Sequence, residues 1–135
     1  MARYIAIIDF ADGNYGAFFP DAPGCTAMGT TEEEVVKNAT EALAEWAADE
    51  IADGRNLPAP RSYVDLLRSD EFPELGKGGM IATIALIEET GKVTRANISI
   101  DAGLLSSIDR EANRLGLTRS AFLAAAARDK IAART

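Results

Sequence analysis

Residues 15–36 read Y-G-A-F-F-P-D-A-P-G-C-T-A-M-G-T-T-E-E-E-V-V, and the hydrophobic period changes inside that stretch. Tyr15 to Phe19 has the aromatic content of a strand. Pro20 to Gly24 breaks it, and Cys25 to Gly29 has room for a short second run. Then Thr31-Glu32-Glu33-Glu34 forms a capping box, a hydroxyl followed three residues later by a carboxylate, and so opens a helix. The three glutamates also suit the positive end of the helix dipole.

Outward from there, Arg3 to Phe10 is rich in isoleucine and reads as a buried strand. Asp12-Gly13-Asn14 is a turn, so the first two strands make a hairpin. On the other side, Val35, Ala39, Ala42, Leu43, Trp46 and Ala47 recur on one helical face. Gly54 is a stop signal, which sets a helix at 31–52. Residues 55–79 are loop, rich in Pro and Gly, with one helical turn near Val64–Arg68. Met80 to Ile87 is a fourth strand. The order is β-β-β-α-β, an α+β layer with one helix covering one sheet face.

The whole chain has 135 residues, 47% hydrophobic and 26% charged. That is a folded composition with room for one domain or two small ones. There is no histidine, which excludes His-based acid–base catalysis, Ser-His and Cys-His nucleophile pairs and most zinc sites. One cysteine, Cys25, excludes an internal disulfide and a CxxC motif. No apolar run has membrane-helix length, and the N-terminus lacks the features of a secretory signal, so a cytoplasmic protein is expected.

The net charge of −7 is unevenly spread. Residues 1–91 hold 6 Lys/Arg against 17 Asp/Glu, a balance of −11. Residues 92–135 hold 8 against 4, a balance of +4. An acidic body with a basic C-terminal unit suggests two tasks in one chain.

In that basic unit, residues 93–100 alternate. Thr94, Ala96, Ile98 and Ile100 fall on one face, and Arg95, Asn97 and Ser99 on the other. Asp101 caps a helix that carries Leu104, Leu105, Ile108, Ala112 and Leu115 and ends at Gly116. Thr118 caps a second helix with Phe122, Leu123, Ala126, Ala127 and Ile131 as its apolar positions. A lone strand leaves its amides without partners, and so small a unit cannot bury a core by itself. A second copy answers both needs. The strands pair as an antiparallel ribbon with Ala96, Ile98 and Ile100 in the dimer core. Arg95, Asn97 and Ser99 then face outward twice, and such a ribbon fits the DNA major groove, where Arg reads guanine and Asn reads adenine. The amides near Thr118, Arg119 and Ser120 could hold a phosphate.

Residues 92–133 resemble a ribbon-helix-helix DNA-binding domain of the Arc/MetJ type, through R-A-N-I-S-I, the Asp101 cap, Gly116 and T-R-S-A-F-L. Residues 1–88 resemble the HicB-like antitoxin domain, through F-P-D-x-P-G-C and the T-x-E-E helix start. The resemblance implies a truncated ribonuclease H-like N-terminal fold (1–88), a short join (89–92) and a ribbon-helix-helix domain (93–135). It implies an antitoxin of a type II toxin–antitoxin system, without catalysis, cofactor or metal. Such a protein binds and neutralises a HicA-like RNA-cleaving toxin, with the interface somewhere in 1–88. It also represses its own operon through operator DNA. The chain is expected to be a homodimer through the ribbon, or a tetramer or larger form if the N-terminal domains also pair, with no membrane partner.

Asp9, with Glu32–Glu34, Glu45 or Asp49, could form a ribonuclease H-like magnesium site, but acidic helix caps and a wet helix face explain most of them. Cys25 reads as a small buried apolar side chain rather than a reactive thiol, and Trp46 as the core anchor of the long helix. The alternative function is a solitary ribbon-helix-helix repressor whose N-terminal domain senses a small molecule.

Overall fold

β1 (Arg3–Ala11) carries apolar side chains at every position from Tyr4 to Ile8, and all but half-buried Ile5 are buried. A strand that is apolar on both faces needs cover on both sides. The computed structural model, which describes residues 1–133, places β1 inside a four-stranded sheet. Its partners are β2 (Asn14–Phe18), β3 (Thr26–Gly29) and β4 (Met80–Ala85), in the order β3-β2-β1-β4. Every pairing is antiparallel. The β1–β2 hairpin turns at Asp12-Gly13, with φ of 54° and 79°. These are the mirror-image turn angles that match the twist of the flanking strands.

One sheet face packs on α1 (Glu32–Ala52). Tyr4, Ala6 and Ile8 of β1, Ala17 of β2 and Ile84 of β4 meet the buried stripe Val35, Ala39, Leu43 and Ala47. α1 begins close against the edge strand. A Cβ built on Gly29 would lie 2.5 Å from the Val35 amide nitrogen. Asn38 reaches back from α1 and donates its side-chain amide to the Met28 carbonyl at 2.7 Å. The expected cap is present, with a shift in one arm. Thr31 Oγ1 accepts from the Glu34 amide at 3.0 Å, but the Glu34 carboxylate returns to the amide and hydroxyl of Thr30.

The expectation of a single covered face needs correction. On the opposite face Ile7 packs with Leu66 and Leu75, and Ile5, Phe18, Tyr63, Phe72 and Ile81 pack around them. The turn expected at Val64–Arg68 is a helix, α2 (Tyr63–Ser69). It is short and flanked by Pro and Gly, so no sustained period announced that residues 63–75 form a second layer.

The F-P-D-x-P-G-C corner joins both layers to the sheet. Its Pro23 carbonyl accepts the Trp46 indole N–H at 3.0 Å. Trp46 is therefore a half-buried clasp at the rim of the core rather than the buried anchor expected of it. Asp21, buried, accepts from the Arg61 amide at 2.7 Å and from Arg61 Nε at 2.9 Å. Arg61 also pairs with Glu71 at 3.0 Å. Cys25 is buried, and its thiol is pushed up to about 11, first by that burial and then by the nearby Glu45 carboxylate. That thiol is no nucleophile at neutral pH.

The chain divides into two units, Met1–Glu89 and the residues from Thr90 onward. The second holds α3 (Ala102–Leu115) and α4 (Arg119–Ala132).

Candidate nucleic-acid interface

Residues 92–101 belong to no helix or strand, and Lys92 to Ser99 are all exposed. The strand expected at 93–100 does not form within the chain. A strand exists only with a neighbour to take its amides, and none of the sheet's strands pairs with this segment. Of the expected dimer-core residues, Ala96 is exposed, Ile98 is 64% exposed and Ile100 is half-buried. Val93 is 99% exposed. Arg95, Asn97 and Ser99 are exposed as well.

The helices that follow are built as their sequence dictates. The Asp101 carboxylate accepts from the Leu104 amide at 2.9 Å and starts α3. Gly116, at φ 69°, ends it in the left-handed conformation, and the Leu117 amide returns to the Ala112 carbonyl at 2.8 Å. Thr118 Oγ1 accepts from the Ala121 amide at 3.1 Å and starts α4. Ile108 and Ala112 are buried, and Phe122 and Leu123 are half-buried. Leu104, Leu115 and Leu117 remain exposed. This apolar surface is larger than two helices can cover for themselves.

Thr118, Arg119 and Ser120 sit together on the exposed first turn of α4. The Arg119 side chain turns back to α3. Its Nε and Nη2 donate to the two carboxylate oxygens of Asp109 at 2.9 and 2.7 Å. The guanidinium holds the Asp109 carboxyl below the usual carboxylate range through those hydrogen bonds. Arg114 likewise pairs with Glu111 one turn away. Sequence reasoning missed the Asp109–Arg119 pair, because only the angle between two helices brings residues ten positions apart together. Among the described residues, Lys92 and Arg95 make no ion pair within the chain.

In the first unit, Asp9 lies exposed near the end of β1, with its carboxylate over Gly16 of β2. Among the described residues, no three His, Cys, Asp or Glu side chains are placed to hold a metal ion. Asp9, Glu32–Glu34, Glu45 and Asp49 are thus not gathered into one site. No described helix is long and apolar enough to cross a membrane.

A family model described as the HicB-like antitoxin of bacterial toxin–antitoxin systems matches residues 4–127. The chain belongs to the HicB-like antitoxin family. Members of the HicB-like family are antitoxins, and this chain is not an enzyme. Its fold is similar to that of a solved antitoxin HicB from Burkholderia pseudomallei, 28% identical, with a TM-score of 0.57 over 97% of this chain and 99% of that one. A solved HicA3–HicB3 toxin–antitoxin complex contains a chain 28% identical, with a TM-score of 0.52 over 63% of this chain and 98% of that one. A curated UPF0150 protein of Synechocystis sp. is 40% identical over 47 residues, which are 35% of this chain and 60% of that protein. The HicB-like chain thus spans about three-fifths of that relative's length. The mixed fold, with a four-stranded antiparallel sheet and four helices among the described residues, is similar to that of solved HicB structures.

Proposed function

We propose that this HicB-like chain neutralises a small basic HicA-like RNA-cleaving toxin through residues 1–88. Its residues 93–135, after the join at 89–92, dimerise as a ribbon-helix-helix unit and repress the antitoxin's own operon in the cytoplasm. The HicA3–HicB3 complex supports the first half, since a chain in it aligns with this fold. The balance of −11 over residues 1–91 suits a basic partner whose RNA surface is to be masked.

The observation that carries the second half is the segment 93–100. It alternates, is exposed from Val93 to Ser99, and has no ladder partner among the described residues. Paired with a second copy, it would bury Ala96, Ile98 and Ile100 and present Arg95, Asn97 and Ser99 to the major groove. The amides of Arg119 and Ser120 have no intrahelical acceptor, as in any first helical turn, and suit a backbone phosphate.

Co-expression with the small reading frame beside its gene tests the toxin half. A stable complex that silences the neighbour's RNA cleavage is expected. A well-expressed neighbour that fails to co-purify sinks it and favours a solitary repressor. For the DNA half, Asn97→Ala is expected to weaken binding to the duplex upstream of its own gene by about 1–3 kcal/mol, with the dimer intact. Unchanged affinity at matched salt would remove Asn97 from base readout.

A further inference from the structure

We infer that the Arg119 side chain positions the nucleic-acid face and that its guanidinium is not a phosphate ligand, the backbone amide keeping the role given above. This rests on the DNA-binding reading above. Arg119 is the first residue of α4, beside Thr118 and Ser120, in a unit with a surplus of positive charge, a place from which a cation could meet the phosphate held by those amides. The geometry points elsewhere. The guanidinium is planar, and its fork fits a carboxylate with two parallel N–H···O bonds. Both are made to Asp109, at 2.9 and 2.7 Å. The charge of Arg119 is therefore neutralised inside the unit.

A cation adds to DNA affinity chiefly by releasing counterions condensed on a phosphate. One that is already neutralised by a carboxylate brings no net charge to that exchange. What the fork does instead is tie the first turn of α4 to the middle of α3. Thr118 Oγ1 takes the Ala121 amide, the third of that turn. The amides of Arg119 and Ser120 stay available, and the fork fixes where they point. Lys92, Arg95, Arg110 and Lys130 make no ion pair within the chain among the described residues, and Lys92, beside the base-reading ribbon, is then the cation left to meet a phosphate there.

The slope of log K against log salt separates the two roles. The full-length chain and a duplex from upstream of its own gene are the reagents. Lys92→Ala should lower the slope by about one phosphate contact. Arg119→Ala should leave the slope at the wild-type value and weaken binding about threefold at every salt concentration. Arg119→Lys keeps the charge but not the fork, and should weaken binding as much as Arg119→Ala does. Asp109→Asn should also weaken binding, and should have no further effect in the Arg119→Ala background.

A slope lowered in Arg119→Ala, or full affinity kept in Arg119→Lys, would overturn the assignment and make the Arg119 guanidinium a phosphate ligand. So would tighter binding by Asp109→Asn that disappears once Arg119 is alanine, because a guanidinium released from Asp109 would then be reaching the DNA. If Arg119→Ala does not fold by circular dichroism, the Lys and Asn variants decide alone. A wild-type chain that binds no duplex at any salt concentration overturns the DNA-binding reading itself, and with it this inference.

Discussion

Gly29→Ala is expected to lower the unfolding free energy of the first unit by about 3 kcal/mol, the upper end of the usual cost of overpacking. The reason is that the obstacle is backbone. A Cβ at this position would stand 2.5 Å from the Val35 nitrogen and 2.9 Å from its Cα, with the Glu34 carbonyl carbon at 3.0 Å. A flexible side chain could rotate away from a new methyl group, but a helix start can only move as a body. The elements that would have to part are the edge strand and α1, whose Thr31 cap and Asn38-to-Met28 hydrogen bond are formed at that junction. Trp46 is the single tryptophan and lies on α1, so its fluorescence reports the transition directly. Gly79→Ala is the matched control. Its Cβ would meet nothing nearer than the Ile8 carbonyl oxygen at 3.8 Å, and a change within about 0.5 kcal/mol is expected. Urea midpoints that fall equally in the two variants would show that close approach at Gly29 is not what the glycine provides.

Gly29 also marks where sequence reading stops. The strands of the hairpin, the long capped helix and the two C-terminal helices were legible because each rests on local rules: alternation, helical period, and a capping hydroxyl or carboxylate. Close approach of Gly29 to Val35 is a fact about two elements meeting, and nothing in T-A-M-G-T-T states it. The same holds for Leu66 and Leu75, which cover the second face from a segment whose Pro and Gly content reads as loop. It holds again for Asp21, where a turn phrase turns out to grip Arg61 from forty positions away. For the candidate site, the caps Asp101, Gly116 and Thr118 could be read in advance, while the engagement of Arg119 by Asp109 could not. Segment 93–100 is the opposite case. Its alternation is plain in the sequence, and it forms no strand in the chain; in the proposed ribbon its order would depend on a neighbour that a single chain cannot supply.

That dependence yields the second large effect. Ile98→Asp is expected to abolish the C-terminal dimer at micromolar concentration and operator binding with it, while the first unit unfolds as in the wild type. In the chain alone Ile98 is 64% exposed, so the substitution removes little burial within its own fold. In the ribbon it would remove the burial of two isoleucines, each contributing about 1.5–3 kcal/mol. It would also bring two carboxylates into an apolar seam beside Ala96 and Ile100, where neither has a partner. The two lost side chains alone come to about 4 kcal/mol, close to a thousandfold in the dimer constant. Sedimentation equilibrium over a range of concentrations measures that change, and the duplex-binding assay measures its consequence. The comparison with Asn97→Ala is what gives the experiment its force. Adjacent positions on a strand point to opposite faces. One substitution should therefore remove assembly and, through it, binding, while its neighbour should weaken binding and leave assembly intact. A fully dimeric, operator-binding Ile98→Asp chain would mean that the ribbon faces the other way, or that 93–100 is not a ribbon at all. The exposed Leu104, Leu115 and Leu117 would then be the surface on which a second copy sits.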